Sequence, residues 1–205
     1  MVPISCIGHD GENARMSGRC GFGAVMGSKR LKAVAAMGSR DTEIADPARL
    51  MVQQKKMVPL LVEKMKGMNL LGTAGGTAAA EKMGDLPVQN WQRGNWPDAE
   101  KITGQVMADT ILKKNYYCAS CPIGCGRDVE IKSGRWAGVK GAGPEYETLG
   151  LMGGSCLVND LEAITYAADL CNRHGVDTIE AGSAVAMAME CFEKRFLSLD
   201  ELDGI

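Results

Sequence analysis

The chain has 205 residues, 45% of them apolar and 23% charged, with a net charge of −2. That is the composition of a soluble globular protein of one large domain, or of one domain with part of another. Lysine and arginine are scattered without a basic block, which argues against nucleic acid, and no apolar run reaches the ~20 residues of a membrane span. The N-terminus lacks a charged-then-apolar signal pattern, so the cytoplasm is the expected compartment.

In chain order, residues 12–38 come first and are punctuated by glycine. Gly18, Gly21, Gly23 and Gly27 can bring backbone amides close to an anion, or can serve a tight connection. Leu31 to Gly38 reads as a short strand. Asp46-Pro47 supplies a cap and a first-turn proline, and the apolar spacing predicts a helix to about Lys66, with Pro59 as a possible kink. Leu70 to Met83 reads as a small-residue helix. Residues 84–99, with Trp91 and Trp96, form a long irregular loop. Another amphipathic helix is expected from Ile102 to Asn115. A hairpin around Ser133-Gly134 follows, with strands at 127–132 and 135–139. Asn159-Asp160 caps a helix closed by Gly175, and Asp177 begins a last one running to Phe196. The class is therefore mainly α with minor strand.

Between the Ile102 helix and the hairpin lies Cys118-Ala-Ser-Cys121-Pro-Ile-Gly-Cys125. Three thiols at this spacing on a short Pro/Gly loop cannot all pair as disulfides, but they can converge on one metal centre. Thiolates are the ligands that iron–sulfur clusters and zinc prefer. Either centre asks for a fourth ligand from elsewhere. The spacing favours a cluster, because structural zinc sites more often show two C-x₂-C pairs. The remaining cysteines, Cys6, Cys20, Cys156, Cys171 and Cys191, stand singly, as small hydrophobes do in a reducing compartment.

Four stretches occur in a telling order: Gly18-Arg-Cys-Gly-Phe-Gly-Ala-Val-Met-Gly-Ser-Lys through Ala33, the 118–127 cysteine run ending in Gly-Arg, Gly143-Pro-Glu-Tyr-Glu-Thr148, and Cys171-Asn-Arg-His-Gly-Val-Asp-Thr178. Together they resemble the aldehyde:ferredoxin oxidoreductase family of tungsten–pterin enzymes, over nearly the whole chain. Members of that family are much longer, with a β-rich N-terminal pterin-binding domain followed by two helical domains. The resemblance makes residues 1–40 the tail of the N-terminal domain and 41–205 a helical cluster-binding domain, incomplete at its C-terminus. It also explains chain ends that read as cuts through something larger.

Residue by residue, the resemblance implies that Cys118, Cys121 and Cys125 are ligands of a [4Fe–4S] cluster whose fourth ligand comes from a later segment. Glu147 matches a catalytic carboxylate near the tungsten, with Glu145 as its rival. Its flanking Gly, Pro, Tyr and apolar residues suit partial desolvation and proton transfer. Asn172, Gly175, Val176 and Asp177 match a pterin-contacting D-x-x-G-L-D turn, in which Asn172 replaces an Asp and Val176 a Leu. Arg19, Gly21 and Gly23 match a segment approaching the pterin phosphates. The implied cofactors are the cluster and a tungsten (or molybdenum) bis-pyranopterin, with Mg²⁺ bridging the pterin phosphates. The implied partners are ferredoxin, a small-molecule aldehyde, the remaining domains of the enzyme and a second copy in a homodimer. The implied reaction is aldehyde oxidation to a carboxylic acid. Reduction of an aromatic thioester stays open within the family, and a non-catalytic iron–sulfur or zinc electron-transfer or scaffold module stays open outside it.

Overall fold

The computed structural model describes residues 2–9, 11 and 15–204. Met1 and Ile205 lie outside them. Two three-residue strands, β1 (Ile7–His9) and β2 (Arg15–Ser17), pair antiparallel with Ile7 opposite Ser17, and the glycine-rich segment after them forms α1 (Phe22–Ser28). The strand expected at 31–38 is not formed. Those residues are exposed and have no strand beside them, and a strand without a neighbour leaves its backbone groups unpaired.

Asp46 accepts a hydrogen bond from the Arg49 amide at 2.9 Å and Pro47 occupies the first turn of α2 (Pro47–Lys64), as the cap chemistry directs. Pro59 sits inside α2, and none of the helix's residues is buried. The expected 70–83 helix is broken instead. α3 (Lys66–Leu71) ends at Gly72, whose φ of 63° starts a 3₁₀ turn over 73–76 before α4 (Thr77–Met83). The irregular 84–96 loop buries Trp96 and leaves Trp91 exposed.

The largest departure from expectation lies at 102–116. A 3₁₀ turn over 97–102 leads to α5 (Gly104–Thr110), and the chain then straightens into β3 (Leu112–Tyr116). The cause is tertiary: β4 (Gly126–Glu130) pairs antiparallel with it, Leu112 opposite Val129 and Tyr116 opposite Gly126. Cross-strand pairing overrides the helical period. β5 (Lys140–Ala142) completes a sheet of order β3-β4-β5, so a hairpin does follow the cysteines, with a longer connection than Ser133-Gly134 alone.

Next comes α6 (Tyr146–Thr148), which widens into π-type turns over 149–154. α7 (Leu161–His174) and α8 (Thr178–Glu193) are capped by Asp160 and Asp177, as expected, and α7 closes on Gly175 at φ 65°. The core joins Leu86, Ile102, Met107, Val129, Leu149 and Ile164. No helix among the described residues is long and apolar enough to cross a membrane.

α8 lies against the π-type segment at Gly182. A Cβ there would stand 2.7 Å from the Leu151 carbonyl carbon and 2.9 Å from its oxygen. Alanine gains about 1 kcal/mol of helix propensity, but overpacking against backbone costs about 1–3 kcal/mol. Gly182→Ala should therefore lower the urea midpoint, whereas the same change at Gly27, where nothing lies within 4 Å, should not.

Candidate functional site

The cysteine loop is the connection between β3 and β4. It begins with a turn in which the Cys121 amide donates to the Cys118 carbonyl at 3.1 Å, and Gly124 takes a φ of 64°. Two tyrosine rings close on its end: a Cβ at Gly124 would lie 2.4 Å from the Tyr117 ring, and one at Gly126 would lie 2.4 Å from the Tyr116 ring. Beneath the loop, Arg127 is only 3% exposed. It donates to the carbonyl oxygens of Asn69 at 2.6 Å, Leu70 at 2.7 Å, Gly124 at 3.0 Å and Cys125 at 3.2 Å. Asn69 in turn donates to the Ile123 carbonyl at 2.7 Å. The last three residues of the loop are thus tied to the end of α3, while Cys118 stays exposed.

All three thiols are free. Among the described residues no three His, Cys, Asp or Glu side chains are gathered tightly enough to hold one metal ion. The thiolates of a cubane stand farther apart than the ligands of a single ion. The donor chemistry fits a cluster in another respect. Arg127 is a buried cation satisfied only by neutral carbonyls, and an anionic iron–thiolate group beside Cys125 would supply the missing counter-charge.

Beside the loop lies a cavity of about 220 Å³ bounded by Arg15, Tyr116, residues 142–148 and the α7–α8 junction. It brings together Glu147, Asn172, Val176 and Asp177. Tyr116, two residues before Cys118, forms the shared wall. Glu145 also faces this cavity but is engaged: Arg15 donates to it at 3.0 Å and the Thr73 hydroxyl donates to its other oxygen. Arg15 also donates to the Tyr116 hydroxyl and lies 5.0 Å over its ring. Burial pushes the Tyr116 phenol up to about 12, against the lowering influence of Arg15. Glu147, in the first turn of α6, makes no hydrogen bond or ion pair with the described residues, so its carboxylate is open to the cavity. Among the described residues one buried Arg15 N–H has no partner, a donor that the polar edge of a cofactor can use.

The 172–177 turn is also a sound helix-to-helix joint. The Gly175 carbonyl accepts from the Cys6 amide at 2.7 Å, the Asp177 amide donates to Ile4, and the Asp177 carboxylate accepts from the Glu180 amide at 2.8 Å. The glycine-rich segment meets this joint. A Cβ at Gly18 would lie 2.3 Å from an Asp177 carboxylate oxygen, one at Gly21 2.8 Å from the Pro3 carbonyl, and one at Gly23 2.5 Å from the Cys6 carbonyl. These glycines admit close backbone packing. Arg19 is exposed beside them, and Arg19, Gly21, Gly23 and Gly175 are not among the residues lining the cavity. Burial, with Asp177 and Glu180 nearby, pushes the Cys6 thiol up to about 11.

Arg15, Thr73, Tyr116 and Arg127 are the participants that the sequence did not single out. Only Arg127 left a signal, as the arginine two places after the last cysteine.

Comparison with known proteins places the chain in a family. Residues 51–205 match the family described as aldehyde ferredoxin oxidoreductase, domains 2 and 3, and residues 1–38 match its N-terminal domain. The chain is 39% identical over 205 residues to the tungsten-containing aldehyde ferredoxin oxidoreductase of Thermococcus kodakarensis, covering 98% of this chain and 33% of that one. The Pyrococcus furiosus enzyme of the same name gives the same figures. An aliphatic sulfonate oxidoreductase, WOR-like subunit, of P. furiosus is 30% identical over 194 residues, 91% of this chain and 30% of that protein. Among solved structures, the active-site complex BamBC of benzoyl coenzyme A reductase, in complex with 1,5-dienoyl-CoA, shares the fold with a TM-score of 0.66. It is 21% identical, covering 96% of this chain and 33% of that one. The chain spans about a third of the length of these relatives. Matched along most of its length by domains 2 and 3 and at its start by the N-terminal domain, the chain belongs to the aldehyde ferredoxin oxidoreductase family.

Proposed function

We propose that this chain forms part of a tungsten–pterin, iron–sulfur oxidoreductase that oxidises aldehydes to carboxylic acids and passes the electrons to ferredoxin. The observation that supports it most is the shared cavity: Glu147 and the 172–177 turn line one space whose far wall, Tyr116, leads into the cysteine loop. When bound, a tungsten bis-pyranopterin supplies oxygen-transfer chemistry and accepts two electrons. The protein's part is to orient, to move a proton and to conduct. Glu147 takes the proton released as the aldehyde carbon gains oxygen, and the Arg15–Glu145–Thr73 network fixes the backbone from which Glu147 projects. Asn172, Val176 and Asp177 meet the pterin edge, with the Asn172 amide offering a neutral contact where a carboxylate is usual. Cys118, Cys121 and Cys125 hold three corners of a [4Fe–4S] cluster, and a segment outside this chain gives the fourth. Arg19, Gly21 and Gly23 belong with the pterin phosphates and their Mg²⁺. On this reading residues 1–40 complete a preceding pterin-binding domain, 41–205 belong to the helical part, and the enzyme works in the cytoplasm as a homodimer.

A second reading, reduction of an aromatic thioester, draws on the neighbouring cleft of about 620 Å³. It shares Met16, Tyr116, Ala142 and Asn172 with the first cavity and carries Lys113, Lys114, Lys140 and Arg173. Lys113, Lys114 and Arg173 are paired with Glu130, Asp128 and Asp169, so Lys140 is the cation best placed to meet a phosphate of a thioester carrier.

Anaerobic purification of the native protein tests both. Iron, labile sulfide and tungsten or molybdenum should be found, with ferredoxin reduced when aldehyde is added. Reduction of an aromatic thioester without aldehyde activity would select the second reading. Zinc as the only metal would leave a scaffold module.

A further inference from the structure

Among the described residues Arg127 is the one buried lysine or arginine. Its four hydrogen bonds all go to backbone carbonyls, two of them in the cysteine loop itself, at Gly124 and Cys125. Carbonyl oxygens satisfy the guanidinium N–H groups but do not cancel its unit charge. No carboxylate among the described residues lies within ion-pairing distance of it. Arg15, the other arginine near the loop, differs in this respect: it is 27% exposed and its charge is met by Glu145. A buried cation without a counter-ion is costly, and the fold keeps one within reach of the last thiol. Gly72 is part of the same design, because a Cβ there would stand 3.0 Å from the Cys125 carbonyl and 3.3 Å from Arg127 Nε. Burial pulls the Arg127 guanidinium down from its ordinary value, and the largest opposing influence is Cys125.

We propose that Arg127 is a positioning residue for the iron–sulfur cluster: it braces the ligand loop through carbonyls, and its fixed positive charge makes the cluster easier to reduce. This rests on the reading that Cys118, Cys121 and Cys125 carry a cluster. One-electron reduction adds a negative charge to the cluster, and a cation held beside it in low dielectric stabilises that added charge more than it stabilises the oxidised form. Hydrogen bonding alone would order the loop without favouring either redox state.

The test uses the full native protein purified anaerobically, beside its Arg127→Gln and Arg127→Lys variants. Iron and sulfide per chain report loading. Dithionite titration followed by electron paramagnetic resonance reports the potential. The potential of Arg127→Gln should shift to more negative values, while Arg127→Lys, which keeps the charge and loses the four-carbonyl brace, should load less but stay near the wild-type potential. If Arg127→Gln does not load at all, restored loading in Arg127→Lys supports the charge role, and equal failure of the lysine variant overturns it. Wild-type potential in a loaded Arg127→Gln chain also overturns it and leaves Arg127 as a brace. A native protein that carries no iron and sulfide would instead sink the cluster reading, and the inference with it.

Discussion

In the native enzyme, Glu147→Gln should leave iron and tungsten content unchanged and lower turnover about 10²-fold or more, the usual scale for losing a general acid or base. The substitution keeps the shape of the side chain and removes only its ability to take a proton. Because Glu147 makes no hydrogen bond or ion pair with the described residues, no neighbour loses a partner in the exchange. Glu145→Gln is the contrasting case. It weakens the acceptor for both Arg15 and Thr73, so its damage should appear in stability and cofactor retention as well as in rate. Turnover measured per tungsten separates the two. An unchanged rate in Glu147→Gln, with a large loss per tungsten in Glu145→Gln, would move the catalytic assignment to Glu145.

Leu149→Ala should cost about 2–5 kcal/mol of unfolding free energy, the range for truncating a buried leucine. Leu149 is fully buried, and its amide donates to the Glu145 carbonyl at 3.1 Å at the start of the π-type turns. It shares the core with Ile102, Met107 and Ile164, so the lost side chain leaves a void walled by several elements that cannot all move in. Against a typical total of about 5–15 kcal/mol, that is a large share. Leu170→Ala, at a position 37% exposed on α7, should cost much less. Urea unfolding of the two variants side by side checks the ranking, and equal losses would mean that the 149–154 segment does not help to hold the core.

The features legible in the sequence were those written locally. Asp46, Asp160 and Asp177 cap their helices because a cap needs only the next three residues, and the three thiols announced themselves by spacing. Leu112 to Asn115 carries a helical pattern yet forms strand, because its partner, β4, lies across the cysteine loop and pairing energy is invisible in a single segment. The network around Glu145 was out of reach for the same reason on a larger scale: Arg15 is 130 residues away along the chain and Thr73 is 72. Glu147 and the 172–177 turn stand out in the sequence only through the family resemblance, and nothing in their local pattern requires them to face one cavity.

α2 and the exposed stretch before it give the molecule an uncommon connectivity. The described residues among 2–28 are fastened to a late part of the chain, through Cys6 to Gly175, Asp177 to Ile4 and the Ser5–Val176 bridge, whereas residues 29–46 contribute no buried side chain. That stretch is a tether in the topological sense: it keeps the first segment at high effective concentration near its binding place without specifying that place. The information for docking resides in the α7–α8 joint and in the Tyr116 and Glu145 side chains that Arg15 meets. The stretch from Lys29 to Asp46 thus carries connection, while the contacts on either side of it carry recognition.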